Sequence, residues 1–328
     1  MSERTRGGVV AAMAIVVLAG GAWAAKAPGG RVKVFILAGQ SNMEGQGVVA
    51  MDHPKYYNGG KGNLVHVMKH SPLASMYRHL KDKRGRWVVR DDVWVFFKTA
   101  NAGLKTGGLG IGFTGYGGKN HMGPELQFGH VVGDHFDEPV LLIKTAWGGK
   151  SLYADFRPPS SGGQVGPYYR QMLAEVREAL RDLKKHFPAY DGSGWDLAGF
   201  VWLQGWNDMC TKEAIPKYEQ NLVNLIHDVR KDLKAPKLPV IIGELGNGGR
   251  PAKGNMLRIR QAQAAAADRA EFRGNVSFVK TAEFARPAKE SPNVGHGHHW
   301  FGNAESYFLV GDAMGKAMVK LLPAGKAK

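Results

Sequence analysis

Ser41 follows the apolar run Val34, Phe35, Ile36, Leu37 and stands between Gln40 and Asn42. Four apolar residues in a row read as a buried strand, and that strand ends at Ala38-Gly39. A serine where a central strand stops can point its hydroxyl out of the sheet edge. Polar neighbours there can donate to a developing oxyanion. Ser41 therefore reads as a nucleophile and the chain as a hydrolase. Residues 144–152 read KTAWGGKSL, and Gly148 and Gly149 let a backbone amide approach a ligand. Residues 202–208 read WLQGWND, where Gln204 and Asn207 offer side-chain donors. Both segments follow predicted strands, and sites in open parallel sheets form at the carboxyl ends of strands. Near the C-terminus, His296, His298 and His299 precede a helix.

Alternating elements position these groups. Strands are expected over 32–37, 93–98, 139–146, 197–203, 238–243 and 276–280. Helices are expected over 125–136, opened by Pro124, and over 168–187, 218–233, 256–269 and 303–322, with Asn303 as a cap. Strands that are apolar throughout and alternate with helices imply a parallel sheet covered on both faces. The expected fold class is α/β, one three-layer α/β/α sandwich over residues 26–328. The glycine-rich stretch 102–118 reads as a long flexible loop near the site. It lacks the spacing and the Lys-Ser/Thr ending of a phosphate-binding loop, which argues against a nucleotide role.

Composition narrows the class further. Arg4 and Arg6, an apolar run over 9–18 and the small-x-small pattern Ala22-Trp23-Ala24 read as a secretory signal peptide within residues 1–25. The run is short for a membrane span, and no later apolar stretch reaches spanning length; an uncleaved N-terminal anchor is the alternative. The reading is therefore a secreted or periplasmic protein without an integral membrane span in the mature chain. About 300 residues would remain, enough for a core that needs no disulfide. Cys210 is the single cysteine and is expected to be a small buried residue. The formal net charge of +16 favours acidic partners, but the basic residues are scattered. No nucleic-acid motif is present, so nucleic acid is not expected as a partner.

The blocks Gly-Gln-Ser-Asn-Met (39–43), Gly-Gly-Lys-Ser-Leu (148–152), Gly-x-Asn-Asp (205–208) and a histidine before the last helix resemble those of the SGNH hydrolases. Their order and spacing are similar to the sialate O-acetylesterase-like carbohydrate esterases, a group that includes acetylxylan esterases. The resemblance implies a flavodoxin-like parallel sheet and no cofactor or metal. It implies Ser41 as nucleophile and His299 as base, His299 being preferred to His298 because 299–304 reads HWFGNA. The amides of Ser41 and of Gly148 or Gly149 would share the oxyanion with Asn207, and Gln204 is a candidate fourth donor. Many relatives carry an aspartate three residues before the histidine, where this chain has His296. Either a Ser–His dyad operates, or an acid from elsewhere serves. Asp208 and Glu244 are the candidates, Asp208 foremost, although an aspartate in that position also commonly braces its own loop.

Competing readings attach to several residues. Trp147, Trp206 and Trp300 flank three blocks and read either as sugar-stacking walls or as core. Glu44 and Glu125 are expected first in structural hydrogen bonds. The three histidines lack a carboxylate partner at helical spacing, which argues against a metal site. The implied activity is hydrolysis of O-acetyl esters on a carbohydrate, an oligo- or polysaccharide and by charge an acidic one. A non-catalytic carbohydrate-binding protein and a sugar O-acyltransferase are the alternatives on the same fold.

Overall fold

The computed structural model describes residues 29–116 and 118–323, so the segment read as a signal peptide lies outside the described residues. The strands are β1 (Val32–Gly39), β2 (Gly47–Val48), β3 (Val93–Thr99), β4 (Gly103–Gly108), β5 (His121–Met122), β6 (Val140–Ala146), β7 (Trp195–Leu203), β8 (Val240–Gly243) and β9 (Val276–Val279). The helices are α1 (Ser41–Glu44), α2 (Leu64–His70), α3 (Glu125–His135), α4 (Pro167–Arg181), α5 (Leu183–His186), α6 (Trp206–Met209), α7 (Tyr218–Asp232), α8 (Gly254–Ala267) and α9 (Ala304–Leu321).

Seven strands form one sheet in the order β4-β3-β6-β1-β7-β8-β9, parallel except for β4. The α/β/α sandwich with a mostly parallel sheet is thus the architecture observed. β1 lies at the centre, buried on both faces. Its alternate residues face opposite ways: Val32, Val34, Ile36 and Ala38 join one core, while Phe35 and Leu37 join the other. The first core packs against α4, α7 and α8 through Met172, Leu222 and Ile259, and the second against α3 and α9 through Phe128, Tyr307 and Phe308. Among the described residues no helix is long and apolar enough to cross a membrane.

Three expectations are corrected. The stretch 102–118 is not all loop: Gly103–Gly108 pairs antiparallel with β3, from Thr99 opposite Gly103 to Trp94 opposite Gly108. An edge strand needs backbone pairing on one side only, so three glycines among the six residues of GLKTGG do not prevent it. The helix expected over 168–187 stops at Arg181, because Asp182 leaves helical angles (φ −103°, ψ 23°) before α5 begins. Aspartate is a poor helix-interior residue that competes for backbone groups. Cys210 is exposed rather than buried, since it caps the four-residue α6 at the surface. Asn303 does cap α9, accepting from the amides of Glu305 and Ser306.

Candidate active site

The carboxyl ends of β1, β6, β7 and β8 bring four loops together. β1 delivers Ser41 through a turn that only glycine permits, because a Cβ on Gly39 would collide with the Leu203 carbonyl oxygen of β7. Ser41 opens the one-turn helix α1 and is nearly buried. Its Oγ lies 2.9 Å from His299 Nε2.

His299 comes from a turn before α9 whose backbone is held in an uncommon shape. Trp300 (φ 46°, ψ 35°) and Phe301 (φ 54°, ψ 23°) both take left-handed angles, which cost about 1–2 kcal/mol each for residues other than glycine. Side chains from three other segments hold the turn against Ser41. Asn42 Nδ2 donates to the His298 carbonyl at 3.1 Å, and Asn247 Nδ2 does so at 3.0 Å. The Tyr307 hydroxyl donates to Asn42 Oδ1 at 2.8 Å and reaches the His299 carbonyl at 3.3 Å. Arg260 of α8 fixes the Asn247 loop, donating to the carbonyls of Leu245, Asn247 and Gly249. Burial, followed by the nearby His298 and His296, pulls the His299 imidazole down to about 3, so it stands neutral. His298 packs against His299, the ring centroids 4.1 Å apart and the planes tilted by 54°, and lies near Trp206 but does not reach Ser41 by hydrogen bond.

The donor side is organised by Gln40, which the sequence had offered only as a polar neighbour able to donate to an oxyanion. Gln40 Oε1 accepts from Gln204 Nε2, Gly205 N and Asn207 N at 3.2, 3.2 and 3.4 Å, while its Nε2 donates to Asn207 Oδ1 at 3.2 Å. This turns Asn207 Nδ2 outward, where it meets the Gly149 carbonyl at 2.7 Å. Gln204 is not placed as an oxyanion donor: its Nε2 serves Gln40, the Lys150 carbonyl and Asp208. A Cβ on Gly148 would stand 3.9 Å from Ser41 Cβ, 3.1 Å from Glu44 Oε2 and 2.6 Å from the Tyr116 hydroxyl, so a side chain there would displace the ends of Glu44 and Tyr116 beside Ser41. The Gly148 amide faces the Glu44 carboxyl, leaving the amide of Gly149 and that of Ser41 as backbone candidates.

The structure does not bring Asp208 to His299. Its carboxylate is buried and accepts from Leu152 N at 2.8 Å, Tyr153 N at 2.9 Å and Gln204 Nε2 at 2.6 Å, bracing the 148–153 loop. Burial raises Asp208 to about 6, against the pull of those three donors. Glu244 is likewise engaged, with the amides of Thr281 and Ala282. His299 Nδ1 is buried with no hydrogen-bond partner among the described residues.

Trp147 and Trp300 are buried in the two cores, one on each face of the sheet, and cannot stack on a sugar as they stand. Trp206 is half-buried beside His298 and is the tryptophan of the three that keeps an accessible face. Under the turn that carries Ser41, buried Lys144 of β6 donates to the Glu44 carbonyl at 2.9 Å, the Phe113 carbonyl at 2.6 Å and Glu125 Oε2 at 2.7 Å. This ion pair ties α1, the glycine-rich segment and α3 together. Burial lifts the Glu44 carboxyl, which faces Tyr116, and Tyr116 rises to about 12 by burial and that neighbour. Among the described residues, no group of three or more His, Cys, Asp and Glu is arranged to hold a metal ion.

A family described as carbohydrate esterase, sialic acid-specific acetylesterase, matches residues 31–320. The chain belongs to this family. A probable carbohydrate esterase of Arabidopsis thaliana is 25% identical over 234 residues, which is 70% of this chain and 74% of that protein. An X-ray structure of a protein from the same plant superposes with a TM-score of 0.54 at 18% identity, covering 88% of this chain and 98% of that one. A carbohydrate acetylesterase of Xanthomonas citri gives 0.50 at 15% identity, covering 87% of this chain and 56% of that one. These two structural likenesses bear on the fold. Membership of the acetylesterase family supports esterase activity toward a carbohydrate.

Proposed function

We propose that this family member is an exported serine esterase that removes acetyl groups from a carbohydrate through an acetyl-serine intermediate. The observation that carries the reading is the 2.9 Å approach of Ser41 Oγ to His299 Nε2 at the carboxyl end of the central strand. Ser41 Oγ attacks the ester carbonyl carbon while its proton passes to His299 Nε2. The tetrahedral oxyanion is met by the Ser41 amide, the Gly149 amide and Asn207 Nδ2. Collapse breaks the bond to the sugar oxygen, which takes the proton from His299. Water then gives a proton to His299 and attacks the acetyl-serine carbonyl; collapse of this second oxyanion breaks the bond to Ser41 Oγ, which takes the proton back from His299, and acetic acid leaves and ionises to acetate.

A neutral imidazole is ready to accept a proton, but one held near 3 is a weak base. The oxyanion forming beside it supplies the negative charge that stabilises the imidazolium, so the two charges appear together. No carboxylate on Nδ1 is required, and the site works as a Ser–His dyad. Export rests on the 1–25 segment of the sequence, and the basic surface favours an acidic acetylated glycan.

The test compares wild type with Ser41→Ala on p-nitrophenyl acetate and on a panel of acetylated glycans, reading released acetate. Turnover should fall about 10⁴-fold or more in the variant. Equal turnover in both would point to a carbohydrate-binding protein, and acylated sugar acceptor with little free acetate would point to a transferase.

A further inference from the structure

Gln46 lies two residues beyond α1, outside the blocks on which the family resemblance rests. Its side-chain amide reaches His299 Nε2 at 3.3 Å, the same nitrogen that meets Ser41 Oγ at 2.9 Å. Among the described residues, the hydrogen bonds that orient the ring therefore both act at Nε2, while Nδ1 has none. Asp208 and Glu244, the acids the sequence offered for the Nδ1 side, are committed to backbone amides elsewhere.

We infer that Gln46 is the positioning residue of the catalytic imidazole, its neutral amide taking the part an orienting acid would play. The inference rests on the Ser41–His299 reading above. A primary amide carries a donor end and an acceptor end. In the resting enzyme its NH₂ donates toward the unprotonated Nε2, beside the Ser41 hydroxyl. When Ser41 attacks, its proton moves to Nε2, and the new N–H needs an acceptor. A half-turn of the amide presents the Gln46 carbonyl oxygen to it, beside the departing sugar oxygen. When that oxygen takes the proton, the amide turns back. Charge and atoms balance without a carboxylate at the ring.

The titratable groups around the ring are few. His296 and His298 share its turn. Glu44 of α1 and Tyr116 of the glycine-rich segment lie beyond Gln46, with the Tyr116 hydroxyl facing both Glu44 and Gln46. Tyr307 of α9 meets the His299 carbonyl.

The experiment follows Gln46→Leu and the near-isosteric Gln46→Glu on p-nitrophenyl acetate across pH, with thermal unfolding of each. Gln46→Leu should lower kcat about 10- to 100-fold with KM little changed, the loss of one hydrogen bond to a charged group. Gln46→Glu places a carboxylate against Nε2, so the acid limb of the rate profile should move up by about 1–3 pH units. A role confined to packing would lower the melting temperature in Gln46→Leu and leave its kcat at the wild-type value. That pattern, with Ser41→Ala inactive, overturns the assignment of Gln46 alone. Full turnover in Ser41→Ala overturns the underlying reading instead.

Discussion

Lys144→Met should destabilise the protein severely, and the structure says by how much. The Lys144 and Glu125 side chains are both fully buried, with Nζ and Oε2 2.7 Å apart. Methionine fills a similar volume, so the packing around Phe97, over whose ring Nζ sits at 4.8 Å, should survive. Glu125 would then keep the Gly123 amide, 3.1 Å from its Oε1. The Glu44 and Phe113 carbonyls would lose the donor they share. Removing one member of a buried ion pair costs about 3–5 kcal/mol, because the other charge stays buried. At about 2–4 °C per kcal/mol, the melting temperature should fall by about 6–20 °C. Urea unfolding followed by fluorescence gives the free energy, and calorimetry the temperature. The double variant Lys144→Met/Glu125→Gln removes both charges and keeps an acceptor for Gly123, so it should recover most of the loss. Because the Glu44 carbonyl belongs to α1, the helix that carries Ser41, turnover should fall in the single variant even where it is folded. A single variant within 1 kcal/mol of wild type, judged against that 3–5 kcal/mol expectation, would refute the view that this ion pair holds the floor of the site.

Two further outcomes are expected. Asp208→Asn should lower kcat by no more than about 10²-fold, the scale of a loop shifted by about an ångström. An acid that oriented His299 would cost about 10⁴-fold, so a loss of that size would restore Asp208 to the catalytic group. Glu175 of α4, almost fully buried with one bond from Gln171 at 2.9 Å, is raised by burial from 4.5 to about 7. The folded state then holds a proton that the unfolded state releases, so its contribution is complete below pH 4.5 and lost as pH rises through 7. Glu175→Gln should therefore be about 1–3 kcal/mol more stable than wild type at pH 8 and nearly equal to it at pH 4.5, by urea unfolding at both.

Elements buried on both faces were the most legible. β1, β3, β6 and β7 announce themselves because every position in a central parallel strand meets a core, so the apolar run needs no period to be seen. β4 stayed hidden for the opposite reason: a glycine-rich edge strand that buries none of its residues is made by its partner's backbone and shows no apolar run of its own. The break at Asp182 was hidden because the apolar period carries on to Leu183 across it. Tryptophans beside the blocks could not be sorted by sequence, since the same ring serves as core at Trp147 and Trp300 and as a half-open face at Trp206.

In the site itself, sequence could show which polar residues stand at strand ends but not which of their donors are already committed. Gln204, Asn207 and Asp208 look equivalent on paper. Gln40 decides between them, by engaging Gln204 and aiming Asn207, while the amides of Leu152 and Tyr153 claim Asp208. Each of these bonds joins residues more than fifty positions apart, beyond any local pattern. The histidine turn is harder still. Its left-handed Trp300 and Phe301 run against local preference, and they persist because Asn42, Asn247 and Tyr307 hold the turn in place from three other segments. Loosening any of the three would let the turn relax toward ordinary angles and draw the imidazole away from Ser41. The reach of His299 is therefore a property of those distant amides and that hydroxyl as much as of the histidine.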